Sequence, residues 1–155
     1  HARYAAHAKT YHYYLLNARV DDPFLFDTCH RIWPALDLAA MQAAAAQFVG
    51  THDFSALCAS GSSAAAHGDT VRTITDCTVV QSGNLFTISV TADGYLYNMV
   101  RILAGTLVQA GLHKRTPDSI PPLLESRDRK QAGPTLPAKG LFLERVDYPG
   151  LDAIS

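Results

Sequence analysis

"TVRTITDCTVVQSGNLFTISVTADGYLYNMVRILAGTLVQAG", residues 70–111, is the stretch on which the fold turns. Its first two runs, "VRTITDCTVV" within 71–81 and "NLFTISVTA" over 84–92, are rich in β-branched residues and read as strands. The link "SGN" predicts a short hairpin turn, with Gly83 available for a positive φ. Asp93-Gly94 breaks the second strand. A helix is then expected from near Tyr97 to Gly111. At 3.6 residues per turn it stacks Tyr97, Arg101, Ala104, Gly105 and Val108 on one line, where the small residues let another backbone or a ligand come close. Leu103, Leu107 and Ala110 form a second stripe that must face a core.

Working outward, residues 7–16, "HAKTYHYYLL", read as a strand with His7, Lys9, Tyr11 and Tyr13 on one face. Residues 17–34 read as a connection punctuated by Pro23 and Pro34. Asp37 is a plausible N-cap for a helix whose Leu38, Met41, Ala45 and Phe48 repeat at helical spacing, and Gly50 is expected at its C′ position. The Ala/Ser/Gly-rich segment 58–69 is expected to be a mobile loop. Thr116 and Pro117 predict the start of a short helix over 117–126, "QAGPTLPAKG" a loop, and "GLFLERVDY" a last strand. There Leu141 and Leu143 share a face opposite Phe142, and Gly140 suggests that something approaches closely at the strand's start. The order β, α, β, β, α, α, β predicts an α+β fold, a mainly antiparallel sheet with helices packed on one face.

The chain has 155 residues, 48% hydrophobic and 17% charged, with a net charge of −1. That suits one globular domain with a full core. It carries no global basic signal for nucleic acid, although a local basic face would suffice. The longest apolar run is interrupted by Arg101 and Gln109 and is too short to span a bilayer, and no signal peptide is evident. Cys29, Cys58 and Cys77 are odd in number and far apart, which favours buried thiols and a cytoplasmic location over a disulfide framework or a zinc site. The seven histidines form no helical ligand pair. There is no Gly-rich phosphate loop, no G-x-S-x-G and no metal-ligand cluster.

Three local patterns could carry chemistry. Arg101 falls in the first turn of a nearly apolar helix, the wrong end for a cation in the helix dipole. It either has a specific partner or snorkels to water, and the pattern leaves both open. "KTYHYY", residues 9–14, interleaves a cation with aromatic rings, as single-stranded nucleic acid requires, and is equally compatible with an ordinary core strand. "KGLFLERVDYP" reads by pattern alone as a core strand.

Taken together, "ARYAAHAKTYHYYLLN", "GTHDFSAL", "TVRTI", "YNMVRILAGTLVQAG" and "LLESRDRKQAGPTLPAKGLFLERVDYP" resemble, in order and spacing from His1 to Pro149, the C-terminal half of the tRNA pseudouridine synthase A family. The resemblance implies an isomerase that converts uridine to pseudouridine in the anticodon stem-loop of tRNA, needing no metal or organic cofactor. It implies a cytoplasmic homodimer that binds tRNA across both subunits, with neither DNA nor membrane as partner. By the same resemblance Arg101 is the partner of the catalytic aspartate, Tyr11 the active-site tyrosine that stacks on the target uracil, and Leu141 the pocket leucine; Lys9, beside Tyr11, is a candidate substrate contact. The family's aspartate lies in an R-T-D-A-G-V-H-like motif of the N-terminal half, and this sequence contains no such motif. The chain begins with His1, just after the place where that half would end. Residues 1–149 are therefore expected to be the C-terminal domain, 150–155 a tail, and the chain alone inactive. The sequence departs from the family pattern at two places, Asp93-Gly94 and Tyr97-Asn98. The competing reading is a stand-alone RNA-binding or dimerisation module without catalysis. An in-frame R-T-D-A-G-like segment encoded upstream of His1 separates the two.

Overall fold

The computed structural model describes residues 7–59 and 68–148. Most of the 58–69 segment and the tail lie outside the described residues. The expected α+β architecture is present: a six-stranded mixed sheet with three α-helices against one face. The strands are β1 (Ala8–Asn17), β2 (His30–Ile32), β3 (Gly50–Asp53), β4 (Val71–Ser82), β5 (Leu85–Ala92) and β6 (Leu141–Asp147). The helices are α1 (Leu38–Ala46), α2 (Met99–Gly111) and α3 (Ile120–Ser126). The sheet runs β2-β1-β5-β4-β3, and β6 pairs with β1 on the edge that β2 also uses. Of the five described pairings only β1–β2 is parallel.

Strict alternation in β5 sets the two faces. Phe86, Ile88, Val90 and Ala92 are buried, whereas Leu85, Thr87, Ser89 and Thr91 are only half-buried. Opposite them on β1 stand Leu15, Tyr13 and Tyr11, so these side chains enter the same core as the helices. Leu103, Leu107 and Ala110 of α2 are fully buried there, as their stripe required. The hairpin between β4 and β5 turns at Gly83 with φ +58°. Asp37 caps α1, its Oδ1 accepting from the Ala40 amide at 3.2 Å.

Several elements differ from those expected. The connection 17–34 contains β2, three residues in parallel register with Leu15–Asn17. So short a strand leaves no periodicity to read. Gly50 is not the cap of α1. The helix ends at Ala46 with Gln47 as its C-cap, and Gly50, with φ +123°, opens β3 opposite Ile74. The 117–126 helix begins as a 3₁₀ turn over Pro117–Ser119, and the Thr116 side chain makes no cap bond. Pro121 and Pro122 lack the amides that would bond back to residues 117 and 118, so an α-helical first turn cannot form. Finally, α2 begins at Met99 rather than Tyr97, because Asn98 takes a left-handed conformation.

Candidate active site

The site rests on a strap, residues 133–140, drawn across α2. Gly105 and Gly133 face each other there. A Cβ on Gly105 would lie 1.9 Å from the Pro134 carbonyl oxygen, and one on Gly133 would lie 2.6 Å from the Thr106 amide nitrogen. The close approach expected beside the small residues of α2 is thus made by backbone. The Gly133 amide donates to Thr106 Oγ1 at 2.9 Å. The Leu136 amide donates to the Arg101 carbonyl at 3.2 Å, and Tyr13 Oη donates to the Pro137 carbonyl at 2.6 Å. Burial, only partly offset by the charge of Arg101, holds the Tyr13 hydroxyl's pKa well above the usual phenol value, so it remains a donor. Gly140 ends the strap against the Tyr13 ring, 2.8 Å from where its Cβ would stand, which is the close contact expected at that glycine.

Fixed in this way, the strap meets the start of α2 and the middle of β1 around a cleft of about 340 Å³. Tyr11 from β1, Arg101 from α2, Leu141 from the first residue of β6 and Ala138 from the strap line it, together with residues 95–100. The structure therefore brings Arg101, Tyr11 and Leu141 to one place. Lys9 shares the strand face with Tyr11, but it is exposed and does not line the cleft.

Arg101 is half-buried. Its Nε donates to the Leu136 carbonyl at 2.7 Å, and its Nη1 donates to Asn98 Oδ1 at 3.0 Å. Among the described residues it forms no ion pair. A guanidinium has five N–H donors, so one on Nη1 and both on Nη2 remain for a partner in the cleft. Both acceptors are uncharged, and the cation has no counter-ion among the described residues.

Tyr11 meets the Tyr95 ring edge-on at 4.9 Å between centroids. The Tyr95 hydroxyl lies 2.6 Å from the Lys9 carbonyl and 2.9 Å from that of Val90, donating to one at a time. Burial keeps it protonated, its pKa raised well above the usual phenol range. Tyr95 thus braces Tyr11 from the side, while the Tyr11 hydroxyl bonds to no described residue. Register explains Leu141. Direct antiparallel pairing of Tyr13 with Leu141 and of Tyr11 with Leu143 puts these leucines on the face of the two tyrosines, and a bulge beyond them leaves Glu144 opposite no single β1 residue. Tyr95 and the strap carried no functional reading in the sequence, and Asn98 entered only as a departure from the family pattern. The signal available for the strap was the pair Gly105 and Gly133; nothing local marks Tyr95.

A family model described as tRNA pseudouridine synthase matches residues 44–149. The chain belongs to this family. It is 45% identical over 148 residues to the tRNA pseudouridine synthase A of Acetivibrio thermocellus, covering 96% of this chain and 59% of that protein. The Moorella thermoacetica tRNA pseudouridine synthase A shows the same identity and coverage. That of Thermoanaerobacter sp. strain X514 is 43% identical over 148 residues. The chain thus spans about 59% of the length of these curated relatives. The family match includes Arg101, Leu141 and the whole strap, and the longer alignments cover nearly all of this chain. No described helix is long and apolar enough to cross a membrane.

Proposed function

We propose that this chain forms one wall of a tRNA uridine-to-pseudouridine isomerase site, in which Arg101 receives a carboxylate from outside the described residues. The observation that carries the reading is the state of Arg101. Two of its donors are held by neutral acceptors and three meet no described residue, at a cleft whose Tyr11 hydroxyl is likewise unbonded among the described residues. A cation so placed lowers the pKa of an incoming carboxylate and orients it through paired N–H donors.

In the reaction the bond between uracil N1 and ribose C1′ breaks, the base turns, and a bond from C5 to C1′ forms. The proton lost at C5 is balanced by one gained at N1, so nothing is oxidised or reduced. Arg101 keeps the catalytic carboxylate ionised beside C1′. Tyr11 offers a ring for the uracil to stack on and a hydroxyl that relays the proton. Leu141 packs against the base. Lys9, outside the cleft, contacts the RNA backbone. The substrate is the anticodon stem-loop of tRNA, the carboxylate comes from the N-terminal half of the same enzyme, and the working unit is a cytoplasmic homodimer holding tRNA across both subunits. The burial of all three cysteines suits a reducing compartment. On this reading the 155-residue chain alone forms no pseudouridine.

Arg101→Met in the intact enzyme tests the proposal. Turnover should fall by ~10²–10⁴-fold, the loss expected when a buried charge is stripped of its partner. Affinity for tRNA should stay within about threefold, because phosphate contacts spread over a large surface supply most of it. Arg101→Lys should recover only part of the activity, since lysine lacks the two-pronged geometry. Equal losses of turnover and binding would make Arg101 a phosphate contact and defeat the reading.

A further inference from the structure

Asn98 stands at the N-cap of α2 with φ 61° and ψ 12°, and its side chain makes no cap bond. An N-cap asparagine ordinarily sits in extended backbone and gives its oxygen to an amide of the first turn. Here both habits are abandoned. The left-handed backbone instead sets Oδ1 3.0 Å from Arg101 Nη1, while the Leu136 carbonyl takes Nε at 2.7 Å. Two acceptors on different nitrogens fix the guanidinium plane, because rotation about the Nε–Cζ bond breaks one of the two bonds. The second acceptor is itself immobile, since Leu136 lies in the strap held by Thr106, Tyr13 and the Arg101 carbonyl. Both acceptors are neutral amides. They orient the cation without neutralising it, which a carboxylate at either place would do.

From this geometry, and resting on the isomerase reading above, we infer that Asn98 is a positioning residue of the reaction. It sacrifices its capping bond to hold Arg101 in the one orientation that offers three N–H donors to the catalytic carboxylate. Asn98 lines the cleft beside Arg101, and the role assigned to it here is exercised through its bond to Arg101 Nη1.

The test uses the intact enzyme as wild type, Asn98→Gly and Asn98→Asp, with two readouts. One is rotation of the Arg101 guanidinium and solvent exchange of its Nε–H, followed by ¹⁵N NMR. The other is kcat and KM on unmodified tRNA. Glycine keeps the left-handed backbone without strain and removes only the acceptor. Rotation should then quicken by ~10-fold or more, with kcat falling ~10–100-fold and KM changing less than ~2-fold, as for loss of one hydrogen bond to a charged group. Aspartate keeps an acceptor in place, so rotation should stay slow, but its charge competes for Arg101 and kcat should fall at least as far. Slow rotation in Asn98→Gly would overturn the inference, as would free rotation with unchanged kcat. So would a loss of tRNA affinity matching the loss of kcat, which would mark a merely structural role. If the wild-type enzyme formed no pseudouridine, the isomerase reading would fall, and the rotation of Arg101 in Asn98→Gly would still decide whether Asn98 holds it.

Discussion

Gly105→Ala puts the strap to the test. In an exposed helix this change stabilises, because alanine is favoured over glycine by about 1 kcal/mol. In α2 the new methyl would sit 1.9 Å from the Pro134 carbonyl oxygen, where ordinary contact begins near 3.4 Å. The strap must therefore retreat by ~1.5 Å, since the helix side is packed against the sheet. A displacement of that size breaks the bonds from Gly133 to Thr106, from Leu136 to the Arg101 carbonyl, and from Arg101 Nε to Leu136. At about 1 kcal/mol for each neutral bond and about 2 kcal/mol for the one from the guanidinium, the loss is about 4 kcal/mol. Subtracting the propensity gain leaves a net destabilisation of about 3 kcal/mol. Urea unfolding of wild type and variant, read as a shift of midpoint at constant slope, measures it. Limited tryptic digestion should also cut faster at Lys139, which sits in the strap. A variant as stable as wild type, or more so, would mean that the strap does not lie on Gly105, and the account of how Arg101 is held would fall with it.

Other outcomes follow from single groups. Burial alone would raise the pKa of Asp53, but hydrogen bonds from Ser55 and Thr70, with Arg127 nearby, outweigh it and the net shift is downward. A depressed carboxylate stabilises the fold above its unfolded value of 3.8, and that contribution is lost as pH falls through the lower folded value. Asp53→Asn should therefore lower stability near neutral pH and flatten its fall on acidification, as thermal melts across that range will show. The Cys77 thiol, with its pKa pushed up to about 12 by burial, should stay unmodified by a thiol reagent at pH 8 until the protein unfolds. Mass spectrometry of the labelled chain decides this.

Local signals carried much of the architecture. The β4–β5 hairpin was readable because Gly83 sits between two β-branched runs, and α1 because Asp37 precedes a helical period. Gly105 and Gly140 announced close approaches without saying what approached. The misses share a physical cause. Strands β2 and β3 are three and four residues long and exist because a neighbour offers a ladder, His30–Ile32 to β1 and Gly50–Asp53 to β4. Gly50 looked like a helix cap because a positive-φ glycine serves equally well in starting a strand. At the cleft, Arg101, Tyr11 and Leu141 could be named from the family resemblance and do meet, whereas Lys9, two residues from Tyr11, extends beyond the rim. The support behind them was hidden in tertiary structure. Tyr95 braces Tyr11 from the link between β5 and α2, and Leu136 reaches Arg101 across 35 residues of sequence.

The double use of one edge of β1 bears on how the chain is made. This strand is the first described element to leave the ribosome, yet its neighbours on the sheet are β5 and, along the shared edge, β2 and β6. The hairpin of β4 and β5 can close as soon as both strands are out, because its partners are adjacent in sequence. The pairing of Lys9 with Val146 and of Tyr13 with Leu141 must wait until translation has passed residue 146. During that interval an aromatic-rich strand keeps half of one edge unsatisfied, the condition in which nascent chains recruit chaperones or pair with one another. Slowing elongation in the last third of the message should therefore lower the soluble yield, and synonymous codons alone can make that comparison.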